Sequence, residues 1–257
     1  VTPHEALAEG RLADALALQE VIVAADPDNP AARRLLVDLL AFAGRLGDAL
    51  DHLSRIRPQD PEWPTVESII HNLFRAERAR SVEERPPQFI PRVEHSVERW
   101  RAIEALRAGK PEDAVAQIDR ADAVSPHLRG FLDGREFEGL HDADDRFASV
   151  LEAFRDGEYV WYPWEAIRKV TLAPAQVLLD QLYRPATISL KDGTECQIHL
   201  PLVYPESHRA DGVFALGTET DHICPDAGPM RCIGGKLLLV SDGVEVPLAG
   251  CRMIEIR

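Results

Sequence analysis

Aromatic residues make up only 6% of the 257 positions, and there are two methionines. Apolar runs are short. None approaches the roughly 20 residues that a bilayer-spanning helix needs, and no basic start followed by an apolar stretch marks a secretion signal. Basic residues are scarce too: 29 Lys and Arg stand against 43 Asp and Glu, a formal net charge of −14. A surface with that balance repels phosphate backbones and anionic lipid headgroups, so neither nucleic acid nor membrane is expected as a partner. The four cysteines, Cys196, Cys224, Cys232 and Cys251, include no Cys-x-x-Cys pair. A chain of this length builds a core without disulfide staples, so they read as small buried residues. No phosphate loop and no dinucleotide fingerprint occurs. Length alone points to two compact units.

What the chain does have is a repeat. Gly10-Arg11-Leu12-Ala13-Asp14-Ala15-Leu16 returns 34 residues later as Gly44-Arg45-Leu46-Gly47-Asp48-Ala49-Leu50. A weaker third copy begins at Gly109-Lys110-Pro111-Glu112-Asp113-Ala114-Val115. In each copy a proline follows the glycine by 17 positions, at Pro27, Pro61 and Pro126. The pattern has a mechanical reading. Glycine supplies the turn that ends one helix, alanine allows the next helix to come close, and proline stops it and restarts a partner. Each unit is a helix pair that must stack on its neighbour to bury its apolar face. The period, the Gly-x-x-x-x-Ala step and the terminal proline resemble the tetratricopeptide repeat, without the large aromatics of its consensus. Leu35, Leu36, Leu39, Leu40 and Phe42 line one buried side, and Val66, Ile69, Ile70, Leu73 and Phe74 another. A stripe from Val93 through Val97, Trp100, Ile103 and Leu106 follows Pro86-Pro87. Between the second and third copies a long charged helix, Glu67 to Arg85, breaks the period.

Past Gly130 the texture changes. One more helix is expected, capped by Asp142 and presenting Phe147, Val150, Leu151 and Phe154. Tyr159 to Tyr162 reads as a strand, with Pro163 opening a short helical turn. Thr187–Leu190 and Cys196–Leu200 flank the turn Lys191-Asp192-Gly193-Thr194 as a hairpin. Leu237–Val240, Val244–Leu248 and Cys251–Ile256 form a meander. The fold class is therefore α+β: tetratricopeptide-like helical repeats over residues 1–130, then a mostly antiparallel β domain with one or two helices over residues 131–257.

Within that second part, Leu132-Asp133-Gly134-Arg135-Glu136-Phe137-Glu138-Gly139-Leu140-His141-Asp142-Ala143-Asp144-Asp145-Arg146-Phe147 is distinctive. With Tyr159-Val160-Trp161-Tyr162-Pro163-Trp164-Glu165, Arg184-Pro185-Ala186 and Leu200-Pro201-Leu202-Val203-Tyr204-Pro205, it resembles the ImpE family, also called TagJ, accessory proteins of type VI secretion. The resemblance implies a non-enzymatic cytoplasmic adaptor that binds the N-terminal helix of the small sheath subunit and influences sheath assembly or recycling. It also implies an indirect link to the sheath-disassembling ATPase, and no cofactor. A helical-repeat groove that accepts an amphipathic helix is a recurrent recognition mode. Candidate groove residues are Arg33, Val37, Leu40, Ile70 and Phe74, with Arg75 and Arg78 as carboxylate grips.

Other chemistries leave weaker marks. His141, Asp142, Asp144 and Asp145 are metal-ligand types but read better as caps of the expected helix. His222, Cys224, Cys232 and His208 lack the tight pairing of a zinc site. Ser207, His208 and Asp211 name the parts of a triad in what reads as a solvated loop. Arg75, Arg78 and Arg80 beside Glu77, Glu83 and Glu84 read as a mixed solvated face, and Trp161 and Trp164 as core or as partner anchors. A metal-dependent hydrolase and a generic helical scaffold are the alternative functions.

Overall fold

A computed structural model of the chain describes residues 1–57, 60–81, 85–241 and 243–257. Its first part is helical: α1 (Pro3–Ala8), α2 (Leu12–Ala25), α3 (Pro30–Phe42), α4 (Leu46–Leu53), α5 (Trp63–Ser81), α6 (Glu94–Arg107) and α7 (Pro111–Val124). Pro3, Pro30 and Pro111 open their helices where the missing amide costs nothing. Thr2 and Asn29 cap two of them, accepting from the Glu5 and Ala32 amides at 3.2 and 3.0 Å.

The repeat is a repeat of backbone conformation. Gly10, Gly44 and Gly109 follow α1, α3 and α6 at φ +74°, +71° and +69°, the left-handed turn closed to most side chains. Side-chain geometry recurs as well. Arg11 Nη1 donates to Asp14, and Arg45 Nε to Asp48, both at 2.6 Å. The helices pair as α1–α2, α3–α4 and α6–α7, with α2 against α3 and α4 against α5 continuing the stack. The long charged helix runs from Trp63 to Ser81; the expected stretch at 82–84 lies outside the described residues, and Arg85 is not helical. Ile69 departs from its predicted stripe. It is exposed, while Ile70, Leu73 and Phe74 are buried.

The strands are β1 (Gln88–Phe89), β2 (Arg129–Leu132), β3 (Arg135–Glu138), β4 (Leu140–Asp142), β5 (Val150–Arg155), β6 (Glu158–Pro163), β7 (Ile167–Leu172), β8 (Tyr183–Leu190), β9 (Glu195–Pro201), β10 (Thr220–Ile223), β11 (Arg231–Gly234), β12 (Leu237–Val240), β13 (Val244–Pro247) and β14 (Met253–Ile256). Nine of them form one sheet in the order β1-β6-β5-β9-β8-β7-β14-β2-β3. Its pairings are antiparallel except β1 with β6. The predicted β8–β9 hairpin is present, with Thr187 opposite Gln197. The predicted meander divides. β12 pairs with β13 on one side and with β4 on the other, but β14 inserts between β7 and β2 of the large sheet.

The helix expected after Asp142 is absent: β4 ends there, a turn follows, and Val150 begins β5. Five of the six β5 residues form an unbroken buried run, Val150 to Phe154. A strand covered on both faces shows no alternation, and its spacing of apolar residues mimics a helix.

Two apolar cores lie on opposite faces of the large sheet, as period two requires. On β6, Tyr159 and Trp161 join the core shared with α1–α6, while Val160 and Tyr162 join the other. Trp161 and Trp164 are both buried, so neither is a surface anchor. The helix-facing core runs from Ala6 and Leu12 to Phe154 and Tyr183, so repeats and sheet share one apolar interior. A short helix, α8 (Gly212–Ala215), also packs on α2.

Candidate functional site

The junction of repeats and sheet is built on buried charge. Glu152 projects from β5 on the helix-facing side, between Val150 and Phe154. Arg80, near the end of α5, grips it with both arms, Nε to Oε1 at 2.9 Å and Nη2 to Oε2 at 3.0 Å. Nη2 also donates to the Val203 carbonyl at 3.0 Å, and Nη1 lies 3.3 Å from Glu77. From the other side Lys236 Nζ reaches Glu152 at 2.7 Å and Asp142 at 3.0 Å. The Tyr204 hydroxyl donates to Asp142 at 2.6 Å, and the Tyr159 hydroxyl donates to Glu152. Asp144 holds Arg146 through two bonds, at 2.9 and 2.7 Å, and accepts from the Cys232 amide at 2.9 Å.

Charges packed this way stay ionised only in company. Burial alone would raise the Glu152 carboxyl, but Arg80 and Lys236 outweigh it and hold the group well below the usual carboxylate range. Burial also opposes charge on Lys236, yet Asp142 and Glu152 keep its ammonium pKa above the ordinary value. For Asp142 and Glu77 burial prevails and raises the carboxyl.

Against this network lie two adjoining cavities. One, of about 440 Å³, is walled by Ala41, Phe42 and Leu46 of the second repeat, Arg78 of α5, and Leu182 and Val203 of the sheet part. The other, of about 380 Å³, lies between α6 and the loops beyond β9 and includes Trp100, Ile103 and Phe147. Arg80, Ser81, Pro205, Glu206 and Arg209 border both, so together they make a trough, apolar at one end and cationic at the other.

Sequence-predicted site residues scatter around it. Arg78 lines the apolar end. Val37, Leu40, Ile70 and Phe74 are buried in the shared core and present no face to a partner. Arg33 is buried as well, its guanidinium 3.0 Å from His52 Nδ1 and donating to the Pro27 carbonyl, which ties α3 to α4. Arg75 is exposed but clamps the β5–β6 turn, donating to the Gly157 and Asp156 carbonyls at 3.0 and 2.5 Å. Arg80 belongs to no solvated face; it is 5% exposed.

The remaining chemical candidates resolve similarly. Asp142 and Asp144 cap no helix, because their carboxylates are occupied by Lys236 and Arg146. Ser207 is buried rather than in a solvated loop; its hydroxyl donates to the Tyr204 carbonyl at 2.8 Å and accepts from the Gly234 amide at 2.7 Å. His222 faces Cys232 across the β10–β11 pair, but among the described residues no three His, Cys, Asp or Glu side chains converge as metal ligands. All four cysteines are free, and burial with nearby Asp144 pushes the Cys232 thiol up to about 12. Among the described residues no helix is long and apolar enough to cross a membrane.

Sequence reasoning missed Arg80, Glu152 and Lys236 as a unit. The available signal was a lone charge inside an apolar run: Glu152 within Val150-Leu151-Glu152-Ala153-Phe154, and Lys236 ahead of Leu237-Leu238-Leu239-Val240.

Comparison with known proteins agrees with this architecture. The sequence model of the ImpE protein family matches residues 134–255, and a tetratricopeptide repeat model matches residues 6–72. The chain is 28% identical to the type VI secretion system accessory component TagJ of Pseudomonas aeruginosa, over 99% of this chain and 90% of that protein. A crystal structure of protein VPA1032 from Vibrio parahaemolyticus has the same fold, with a TM-score of 0.91 at 22% identity, covering 99% of this chain and 97% of that one. Residues 134–255 are thus similar to the ImpE protein family, and residues 6–72 to the tetratricopeptide repeat.

Proposed function

We propose that this protein is a non-enzymatic, cytoplasmic adaptor of type VI secretion. In this reading it docks the N-terminal helix of the small sheath subunit in the trough between repeats and sheet, and so bears on sheath assembly or recycling. The sheath-disassembling ATPase is then reached only indirectly, through the sheath. Likeness to TagJ along nearly the whole chain supports the pathway. The observation that carries the docking mode is the apolar cavity of about 440 Å³, whose walls come from two repeat helices, α5 and the sheet part together. A groove with spaced apolar walls accepts the apolar face of an amphipathic helix, and its polar rim sets orientation. Neighbouring titratable groups are engaged in ion pairs and hydrogen bonds, which suits a binding surface.

The test is a fluorescence anisotropy titration of a labelled peptide from the amino end of the small sheath subunit. Saturable binding with a Kd of about 1–10 μM is expected, and no binding at about 500 μM overturns the reading. Gly47→Trp is the matched variant. Gly47 lines the cavity, and a Cβ placed there meets nothing within 4 Å, so an indole fills the mouth without disturbing the fold. Binding should fall by about tenfold or more, the loss expected when a hydrophobic anchor is displaced.

A further inference from the structure

In a chain of net charge −14, five arginines line the second cavity: Arg80, Arg107, Arg146, Arg209 and Arg231. Three have carboxylate partners, Arg80 with Glu152, Arg146 with Asp144, and Arg209 with Glu206 at 2.8 Å. Arg107 stands over the Trp100 ring at 5.0 Å and has further partners. Arg231 differs. It opens β11, and its Nε is buried with no hydrogen-bond partner. A buried guanidinium N–H without an acceptor is costly, and an arriving oxyanion removes that cost. The planar fork of arginine matches a carboxylate.

We propose that this cavity is an oxyanion site for a carboxylate on the docked segment. Because Arg80, Pro205 and Arg209 also border the apolar cavity, the segment it fits carries an acidic side chain beside its apolar anchors. Local cations then recruit an acidic ligand to a protein that repels acids elsewhere. The source of the carboxylate rests on the docking reading above; the anion site itself does not.

Two measurements on the full chain separate these claims. In nitrogen-15-labelled protein, the Arg231 Nε–H resonance, assigned by its disappearance in Arg231→Gln, is followed during titration with acetate at constant ionic strength. A saturable shift is expected, and no shift by about 50 mM overturns the anion site. The sheath peptide is then titrated against wild type, Arg231→Gln and the exposed-site variant Arg209→Gln. Each variant should weaken binding about fivefold or more, as loss of a charge-assisted hydrogen bond does. Peptide affinity unchanged in both variants overturns the carboxylate's assignment to the docked segment. An acetate shift without peptide binding to wild type leaves the anion site standing and removes the docking reading instead.

Discussion

Gly10 and Gly212 meet backbone to backbone: a Cβ on Gly212 would lie 2.0 Å from the Gly10 carbonyl oxygen. One glycine ends the first repeat helix and the other opens α8, so the contact joins the two halves of the chain where neither can carry a side chain. Gly212→Ala must force them apart. A loss of roughly 1–3 kcal/mol is expected from overpacking of this kind, read as a lower urea midpoint. Gly47→Ala, where a Cβ meets nothing within 4 Å, should instead stabilise by about 0.5–1 kcal/mol through helix propensity. Equal midpoints for the two variants would show that the glycine contact is not close.

Glu152 holds two buried cations. Glu152→Gln keeps the shape and removes the charge, leaving Arg80 and Lys236 without their shared partner. Destabilisation of about 3–5 kcal/mol is expected, as for any buried pair broken from one side. Glu138→Gln, which breaks only exposed pairings with Arg129 and His127, should leave the urea midpoint unchanged.

Asp38 gives the protein a pH dependence of opposite sign to ordinary acid denaturation. Burial pushes its carboxyl up to about 6, although Arg34 Nε donates to it at 3.0 Å. The unfolded value is about 3.9, so the protonated form favours the fold. The resulting stabilisation is complete below about pH 4 and is lost as pH rises through about 6. Asp38→Asn should therefore gain on wild type by roughly 2–3 kcal/mol between pH 4 and pH 7 in urea titrations. A difference that stays constant over that range would contradict the shifted carboxyl.

Because repeats and sheet share one apolar interior and the Arg80–Glu152 pair crosses between them, the chain should unfold in one transition. Far-ultraviolet circular dichroism, dominated by the helices, and fluorescence of the buried Trp161 and Trp164 in a variant with Trp63→Phe and Trp100→Phe should give superimposable urea curves. Separate midpoints would mean that residues 1–130 and 131–257 behave as independent units.

Some of this was plain in the residue order and some was hidden. Gly10, Gly44 and Gly109 stood out because a left-handed turn constrains residue identity, and stacking constrains spacing. The β8–β9 hairpin was legible through its Asp-Gly turn. β5 was not, because burial on both faces erases alternation. The charge network left no local pattern, since Arg80 and Glu152 are 72 residues apart and Asp142 and Lys236 are 94 apart. Helix faces alone point to Arg33, Val37, Leu40, Ile70 and Phe74 as groove residues. Neighbouring helices cover α3 and the sheet covers α5, and periodicity along one helix does not report what lies across from it.

The loop around α8 touches two successive repeats, with Val213 2.7 Å from where a Gly10 Cβ would lie and His208 2.5 Å from where a Gly44 Cβ would lie. It works as a caliper set to one repeat. Tetratricopeptide arrays open at both ends can stretch and twist like springs, since each unit contacts only its neighbours. Here the pitch of the first two units is locked from outside, so a partner meets a mould of fixed dimensions, and an added or deleted helix pair would unseat the loop that gauges it.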